Sequence, residues 1–310
     1  MMTGKYQNQI PDADLSALDM LMWQFNREQG NWTEDLTPPE PKVLPKSVAD
    51  LTVTFINHCT FLIQVCGLNI LTDPIWSERA SPFSWAGPKR QRQPGLRFED
   101  LPPIHAVLVS HDHYDHMDAP TLNLLNKVHQ PKFFTPLDNA DTLQQESITD
   151  CTELSWWQSA ELAPNIKLWL VPGRHFSGRW AIDHNDTLWG GFVIEAPAGK
   201  IYFAGDTGFG PHFKEIHEKL GPMRLAILPI GAYKPRNLME TYHLSPEEAV
   251  QAHQVLKANT SIASHFGTFA MADDGQEEPV RELEKALAKH TVPKSDFLVL
   301  AQGQTLDLSK

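Results

Sequence analysis

Short apolar runs alternate with polar stretches along most of the chain, and many of these runs are rich in β-branched and aromatic side chains. Runs of this length and composition predict buried β-strands. The predicted strands cover residues 51–56, 60–65, 70–71, 106–110, 132–135, 166–171, 188–195, 200–204, 225–229, 261–264 and 297–301. Helices are predicted directly after Asp118, over 141–151, from Pro246 onward and over 279–290. Strands interleaved with helices in this way predict an α/β (α+β) domain of two packed sheets flanked by helices.

Two of the predicted helix starts carry capping signals. Ser245 and Glu248 have the spacing of a capping box, with Pro246 at the first helical position. Asp118 stands where it can cap the helix that follows, with Pro120 in the first turn. Both starts are therefore expected at these residues.

The first 46 residues are interpreted as an N-terminal extension to a single domain over 47–310. Leu15, Leu18, Met22 and Phe25 recur at helical spacing and predict an amphipathic helix over 14–28. In the simplest interpretation this helix docks on the protein's own core; a lid, a dimer contact or a lipid-facing element are the alternatives. The Pro-rich segment 37–46 predicts an extended tether.

The net charge of the chain disfavours two classes of binding partner. The chain of 310 residues has an ordinary globular composition, 41% hydrophobic and 21% charged. Lysine and arginine number 26 against 38 aspartate and glutamate, which gives a net charge of −12. Nucleic acid and anionic bilayers both reward a positive surface, so neither is expected as a sequence-independent partner.

Cysteine usage and hydropathy indicate a cytoplasmic protein. Cys59, Cys66 and Cys151 form no CxxC pair, which favours buried thiols in a reducing compartment. Residues 1–11 are polar and do not resemble a signal peptide, and polar residues interrupt the apolar tract 51–71. Peripheral contact with a membrane and formation of a homodimer are left open.

The strongest chemical signal follows the predicted strand 106–110. His111, His113, Asp115 and His116 lie within six positions, and imidazole and carboxylate are ligands of divalent metals. The order His-x-His-x-Asp-His suits two ions, because the first two histidines can reach one ion while the last two residues lie further round the turn. A solvated polar loop is the alternative, but it does not explain a buried strand directed into the cluster.

Three further candidate ligands stand at predicted strand ends. His175 follows strand 166–171, Asp206 lies between glycines after strand 200–204, and His265 follows strand 261–264. Glycines beside Asp206 allow its carboxylate to approach a metal closely. The repetition of ligand residues at strand ends predicts that all of them converge on one metal centre.

The long segment 75–98 is a candidate substrate loop. Trp76, Phe83 and Trp85 lie there among several arginines and lysines, and loops of this length are often functional. Aromatic and cationic side chains together suit a substrate with an apolar and an anionic part. A surface loop packed by its own aromatic rings is the alternative.

At this point the sequence resembles the metallo-β-lactamase superfamily and, within it, the N-acylphosphatidylethanolamine-hydrolysing phospholipase D family with its bacterial relatives. The resemblance covers most of the chain, from about Phe55 to Leu300. The segments that carry it are LTDPIWSERASPFSWAGPKR (71–90), LPPIHAVLVSHDHYDHMD (101–118), FAGDTG (203–208), LPIGAYKPR (228–236), HLSPEEAV (243–250) and HFGTFA (265–270).

This resemblance implies an αββα sandwich of two mixed sheets and a centre of two zinc ions. One zinc is implied to bind His111, His113 and His175, and the other Asp115, His116 and His265. Asp206 is the implied bridge, and Asp73 and Asp112 are candidates to orient ligand imidazoles. Asp115 and His243 are the implied catalytic residues, with His243 contacting the substrate or protonating the leaving alkoxide.

The activity implied is hydrolysis of N-acylphosphatidylethanolamine or a related phospholipid at the phosphodiester. Tyr242, Phe176 and Phe266 replace residues of the mammalian enzyme next to the ligands, which affects lipid specificity more than metal chemistry. The expected substrate-binding residues are Trp76, Trp85, Tyr114, Phe176, Tyr242 and Phe266. A lactonase, an amide hydrolase and a non-catalytic metal-binding regulator are the alternatives.

Overall fold

The computed structural model describes residues 5–11, 22–23, 25–180 and 183–309. Two mixed seven-stranded sheets are present. The strands of the first sheet are β1 Leu51–Asn57, β2 Thr60–Val65, β3 Leu68–Thr72, β4 Ala106–Leu108, β5 Lys132–Pro136, β6 Cys151–Leu154 and β14 Thr305–Asp307. Those of the second are β7 Ser159–Ala163, β8 Ile166–Val171, β9 Gly191–Ala196, β10 Gly199–Phe203, β11 Leu225–Pro229, β12 Thr260–Ser264 and β13 Phe297–Leu298.

Each sheet combines an antiparallel part with a parallel part. In the first sheet the order is β14-β1-β2-β3-β4-β5-β6, antiparallel as far as β3 and parallel beyond it. In the second the order is β13-β12-β11-β10-β9-β8-β7, antiparallel from β7 to β10 and parallel from β10 to β13. The carboxyl ends of parallel strands lie on the same side of a sheet. The segments that follow β4, β10 and β12 are therefore brought to that side of their sheets.

The core lies between the two sheets because alternate side chains of each strand point towards the other sheet. In β2, for example, Phe61 and Ile63 join the main cluster with Leu168 and Phe192 of the second sheet. The intervening Leu62 instead belongs to a second cluster on the outer face of the first sheet. Strands covered on both faces read as continuous apolar runs, and β1 and β2 are buried throughout.

Helices cover the outer faces of both sheets. The outer face of the first sheet packs on α1 Ala119–His129 and α2 Ala140–Gln145. The helices of the second half are α3 His212–Leu220, α4 Arg236–Met239, α5 Pro246–Leu256 and α6 Glu278–Lys289. This layering confirms the expected αββα sandwich.

Several element boundaries differ from the sequence-based predictions. The helix predicted over 141–151 ends at Gln145, and Cys151 begins β6 instead. Strand 106–110 ends at Leu108, because the N–H of Ser110 donates to the Asp73 side chain rather than to a neighbouring strand. The capping box at Ser245 and Glu248 is confirmed, with both reciprocal hydrogen bonds formed.

Most of the predicted helix over 14–28 lies outside the described residues. The segment that follows packs along the domain: Trp32 Nε1 donates to the Asp274 carbonyl at 3.0 Å, and the Lys42 N–H donates to Asp100 Oδ2 at 3.1 Å. The division of the chain at residue 47 stays a prediction. Within the described ranges no helix combines the length and apolar character needed to cross a membrane. The cytoplasmic location and the homodimer also stay predictions.

Candidate metal centre

The turn after β4 directs its ligand residues inward. The Ser110 N–H donates to Asp73 Oδ1 at 2.7 Å, and the Ser110 hydroxyl donates to Asp73 Oδ2 at 2.6 Å. The turn then closes with a 3.0 Å hydrogen bond from the His116 N–H to the His113 carbonyl. His111 and His116 are consequently almost fully buried between the sheets.

Three histidines form a first cluster. His113 Nδ1 lies 2.9 Å from His111 Nε2 and 3.2 Å from His175 Nε2. Ligand atoms around a tetrahedral zinc with bonds of 2.0–2.1 Å are separated by about 3.3 Å, so this spacing fits one common ion. Burial lowers the pKa of His113 to about 4 and of His175 to about 3, and holds that of His111 well below its usual range. All three rings are therefore neutral, which is the form that binds metal.

A carboxylate and two histidines form a second cluster. Asp115 Oδ2 lies 3.1 Å from His116 Nε2 and 3.4 Å from His265 Nε2. Burial opposes a charge on His265, but the carboxylates of Asp206 and Asp115 outweigh it and raise the pKa of His265 to about 9. The same balance raises the pKa of His116. The two buried carboxylates thus favour positive charge nearby, and a divalent cation that displaces the ring protons would supply it.

Asp206 connects the two clusters. Its Oδ2 lies 3.0 Å from His265 Nε2, 3.2 Å from His116 Nε2 and 3.9 Å from His175 Nε2. Its approach depends on Gly205, which has φ +61° and where a Cβ would lie 2.6 Å from the Ser110 Cβ. Only glycine accommodates this contact between the ends of β10 and β4.

The orphaned atoms of the clusters support metal binding. Within the described residues, His116 Nε2, His265 Nε2 and Asp206 Oδ1 are buried and make no well-directed hydrogen bond, although carboxylate oxygens lie near both nitrogens. Leaving a buried polar atom unsatisfied costs about 1–3 kcal/mol. A cation that accepts these lone pairs removes the penalty, and nitrogen with carboxylate oxygen is a donor set that suits zinc and related divalent metals. The residues present therefore fit metal ions.

Neighbouring groups orient three of the ligand rings through hydrogen bonds to their Nδ1 atoms. The distances are 2.6 Å from His116 Nδ1 to Asp73 Oδ2, 2.9 Å from His111 Nδ1 to the Ser110 hydroxyl, and 2.9 Å from His175 Nδ1 to the Tyr242 carbonyl. Such contacts fix the tautomer and direction of a metal-binding imidazole. The contact of Asp73 with His116 agrees with the sequence-based prediction that Asp73 orients a ligand imidazole.

Asp112, the other candidate to orient an imidazole, instead supports the loop that follows His175. It accepts hydrogen bonds from the Gly178 N–H at 2.8 Å and the Thr187 hydroxyl at 3.1 Å. Its effect on the centre is consequently indirect.

His58 was missed by the sequence reasoning. It lies in the turn between β1 and β2, where it is buried and its Nε2 is 2.9 Å from Asp115 Oδ2. Burial lowers its pKa to about 4. A histidine in a tight turn between two apolar strands was the available signal. The adjacent Cys59 also lies near the second cluster, but burial raises the pKa of its thiol well above the usual range, which disfavours the thiolate that binds metal.

Substituting His58 by alanine is expected to weaken metal binding at the second cluster by about 10–100-fold. The reason is that Asp115 loses the neighbour that orients its carboxylate. Titration of the metal-free protein with zinc measures the effect. His253→Ala is the matched control, since His253 is also buried but binds Ser261 at 2.8 Å away from both clusters. Equal zinc affinities for the His58 variant and the unaltered protein would contradict this role.

A cavity of about 260 Å³ opens onto the clusters. Its lining residues are Ala80, His113, Tyr114, Asp115, Phe176, Asp206, His243 and Met271. A larger depression of about 590 Å³ beside β8 and β9 is lined by Glu161, Lys167 and Glu195, and it touches neither cluster. The candidate metal ligands therefore line the smaller cavity and not the larger depression.

The expected substrate residues separate into two groups. Tyr114 and Phe176 line the cavity, and the Tyr242 ring lies 4.9 Å from that of Phe176. Trp76 packs edge-on against Phe98 under the outer face of the first sheet.

The remaining two expected substrate-binding residues, Phe266 and Trp85, also lie away from the cavity wall. Phe266 is buried and stacks on Phe55 in the core, and Trp85 is 77% exposed. Ala80 and Met271, which do line the cavity, had not been singled out from the sequence. Apolar residues of this kind carry no sequence signal for a binding wall.

Comparison with known proteins agrees with this geometry. The profile of the Beta-lactamase superfamily domain matches residues 68–266. The chain is 38% identical over 275 residues to N-acyl-phosphatidylethanolamine-hydrolyzing phospholipase D 1 of Caenorhabditis elegans, which covers 85% of this chain and 77% of that protein. It is 32% identical over 237 residues to the mitochondrial N-acyl-phosphatidylethanolamine-hydrolyzing phospholipase D of Saccharomyces cerevisiae, over 73% of this chain and 50% of that protein.

The fold has solved counterparts as well. The metallo hydrolase Igni18 of Ignicoccus hospitalis superposes with a TM-score of 0.63 at 22% identity, over 83% of this chain and 97% of its own. Fold and clusters together define a hydrolase of the metal-dependent β-lactamase type. The chain belongs to the metallo-β-lactamase superfamily and, within it, to the family of the N-acylphosphatidylethanolamine-hydrolysing phospholipases D.

Proposed function

We propose that this protein is a dizinc phosphodiesterase of phospholipase D type that cleaves N-acylphosphatidylethanolamine or a related phospholipid. The observation that carries the proposal is the contact of the Asp206 carboxylate with ligands of both clusters. Two cations a few ångströms apart need a shared anionic ligand to offset their repulsion. The 38% identity to the Caenorhabditis elegans phospholipase D supports the choice of a phospholipid.

Seven residues would hold the two ions. His111, His113 and His175 would hold one, Asp115, His116 and His265 the other, and Asp206 both. When bound there, the ions would lower the pKa of a shared water and neutralise charge on the phosphodiester. The protein supplies the fixed geometry, because the ligand rings are held by Asp73, Ser110 and the Tyr242 carbonyl.

Cavity size supports a substrate that enters by its headgroup. Pockets that enclose a whole drug-sized ligand measure about 300–1,000 Å³, whereas this cavity measures about 260 Å³. It has room for a phosphate and the adjoining atoms but not for two acyl chains. Ala80, Phe176 and Met271 give its wall an apolar character that suits the first carbons beside the phosphate.

His243 has the position of a substrate-contacting residue. It lines the cavity, and its Nδ1 lies 3.8 Å from Asp206 Oδ2. Burial lowers its pKa to about 3, so the ring is neutral at pH 7. A neutral imidazole is a hydrogen-bond donor to phosphate oxygen and a poor acid, and the first of its two expected roles is therefore favoured.

The His243→Ala variant separates those two roles. Bis-p-nitrophenyl phosphate releases a stable phenolate that needs no proton, whereas a soluble short-chain N-acylphosphatidylethanolamine releases an alkoxide. Loss of a hydrogen bond to phosphate lowers kcat/KM by about 10²-fold on both substrates. A loss confined to the lipid would show instead that His243 protonates the leaving group.

The proposed activity is tested by incubating the zinc-loaded protein with dispersed N-acylphosphatidylethanolamine, phosphatidylethanolamine, and panels of lactones and amides. Mass spectrometry of the products is expected to show phosphatidic acid with the released headgroup alcohol. Turnover of lactones or amides without phospholipid cleavage would refute the proposal in favour of another hydrolase of this fold. No turnover of any substrate, including bis-p-nitrophenyl phosphate, would favour a metal-binding regulator.

A further inference from the structure

Three exposed aromatic rings meet on the surface beside the cavity. Phe83 and Trp85 belong to the loop between β3 and β4, and Trp180 to the loop between β8 and β9. The Phe83 ring centroid lies 5.4 Å from that of Trp85 and 6.4 Å from that of Trp180. The three residues, here called the aromatic platform, are 44%, 77% and 58% exposed. Contiguous exposed apolar surface of this kind marks interaction sites.

The first loop is built so that its tip projects from the domain. Its base closes with hydrogen bonds from the Ala80 N–H to the Pro88 carbonyl at 3.0 Å and from the Arg90 N–H to the Glu78 carbonyl at 2.8 Å. Directly above this base Gly87 has φ +91°, and a Cβ there would lie 2.6 Å from the Ser81 Cβ. The tight turn fixes the backbone while leaving Phe83 and Trp85 outside the core.

The second loop is held in a similar way. The Asp183 carboxylate accepts hydrogen bonds from the backbone N–H groups of Arg179, at 3.1 Å, and Trp180, at 2.8 Å. The Arg179 guanidinium lies 4.0 Å over the Tyr114 ring, which lines the cavity. Ala80, at the base of the first loop, lines it too. Both loops thus connect the platform to the cavity mouth.

Charge around the platform favours a zwitterionic surface over an anionic one. Segment 75–98 holds five arginines and lysines against one glutamate, but most of this charge is already compensated or buried. Lys89 pairs with Glu34, Arg97 with Asp100, and Arg90 is 1% exposed. Tryptophan concentrates at the headgroup level of bilayers without any need for anionic lipid.

We propose that the aromatic platform inserts into the headgroup region of a zwitterionic phospholipid bilayer and sets the cavity mouth against it. The inference rests on the proposed function, because a cavity that admits only a headgroup leaves the acyl chains in the membrane. Rings with an apolar body and, in tryptophan, a polar N–H suit that boundary. A lipid can then present its phosphate to the metal centre while its chains stay in the bilayer.

The test measures co-sedimentation of the zinc-loaded protein of residues 1–310, and of two variants of it, with phosphatidylcholine vesicles. The platform variant is Phe83→Ser, Trp85→Ser and Trp180→Ser combined. The control variant is Leu124→Ser with Val128→Ser, which removes 43% and 58% exposed apolar side chains from α1. The platform variant is expected to bind the vesicles at least about tenfold more weakly than the unaltered protein does. The affinity of the control variant is expected to stay within about twofold of that of the unaltered protein. Unchanged metal content and Tm show that the platform variant is folded.

Insertion depth gives a second measurement that is independent of activity. Phosphatidylcholine brominated on its acyl chains is expected to quench the fluorescence of the bound protein. Trp85→Phe should reduce this quenching while it preserves vesicle binding. Equal quenching in both proteins would overturn insertion at this position.

The remaining outcomes separate the inference from the proposed function. The inference is overturned if the platform variant binds vesicles as tightly as the unaltered protein, or if neither protein binds them. Either result counts against it even if phospholipid is hydrolysed. A dimer in analytical ultracentrifugation that the platform variant converts to a monomer would overturn it too, since a second copy then covers the rings. Vesicle binding by the platform without any phospholipid hydrolysis would sustain the inference and refute the proposed function.

Discussion

The Asp206→Asn variant is expected to lose at least about 10³-fold in kcat/KM and to retain at most one of two bound zinc equivalents. Asparagine keeps the shape of the side chain but removes the negative charge that two adjacent cations require. In the structure this one carboxylate lies 3.0 Å and 3.2 Å from ligand nitrogens of the second cluster and 3.9 Å from one of the first. The loss of charge therefore affects both ions together.

Metal analysis after dialysis and hydrolysis of bis-p-nitrophenyl phosphate measure this prediction. Asp118→Asn is the matched control, because Asp118 is also buried but accepts hydrogen bonds from Ser77 outside both clusters. The control is expected to keep its metal and most of its activity. Two zinc equivalents and near-normal turnover in Asp206→Asn would mean that Asp206 does not bridge.

The second large effect is expected from His111→Ala, which should lose metal and activity together. Its Nε2 lies 2.9 Å from His113 Nδ1, and removing one of three nitrogens leaves a site with too few donors to hold an ion. Turnover is expected to fall by about 10³-fold or more, since the remaining ion cannot activate water and neutralise the phosphodiester alone.

Metal content again gives the sharper measurement. His111→Ala is expected to bind one zinc equivalent at most, retained at the second cluster. His184→Ala is the control, because that ring lies 5.6 Å from Phe176 but belongs to neither cluster. Full activity in His111→Ala would refute the assignment of the first cluster.

The parts of the fold that sequence predicted are those where the apolar pattern is strongest. β2, β8 and β11 occupy the predicted residues because their side chains are mostly or wholly buried. β6, β7 and β14 were missed because they lie at sheet edges, where partly exposed residues break the pattern. The pairing of β14 with β1, at the opposite end of the domain sequence, is also not revealed by local periodicity.

The convergence of the candidate metal ligands was predictable for a related reason. His175, Asp206 and His265 each follow a strand, and strand ends that share a sheet edge bring distant residues together. His58 obeys the same rule, because it directly follows β1, whose carboxyl end lies on the same side of the sheet as that of β4. A single histidine in a hairpin turn was nevertheless not singled out from the sequence. Trp76 shows the opposite error: an aromatic residue in a candidate substrate loop turned out to pack against the first sheet.

The chain is expected to hydrolyse a phospholipid at phosphorus, at a metal centre whose two clusters Asp206 joins. Hydrolysis of N-acylphosphatidylethanolamine by the zinc-loaded protein in ¹⁸O-labelled water tests it most directly. Attack at phosphorus breaks its bond to the hydroxyl oxygen of the leaving N-acylethanolamine. The label is therefore expected in phosphatidic acid and absent from the N-acylethanolamine, and Asp206→Asn should form both products at least about 10³-fold more slowly. Label in a released fatty acid, or no phospholipid cleavage at all, would contradict the account.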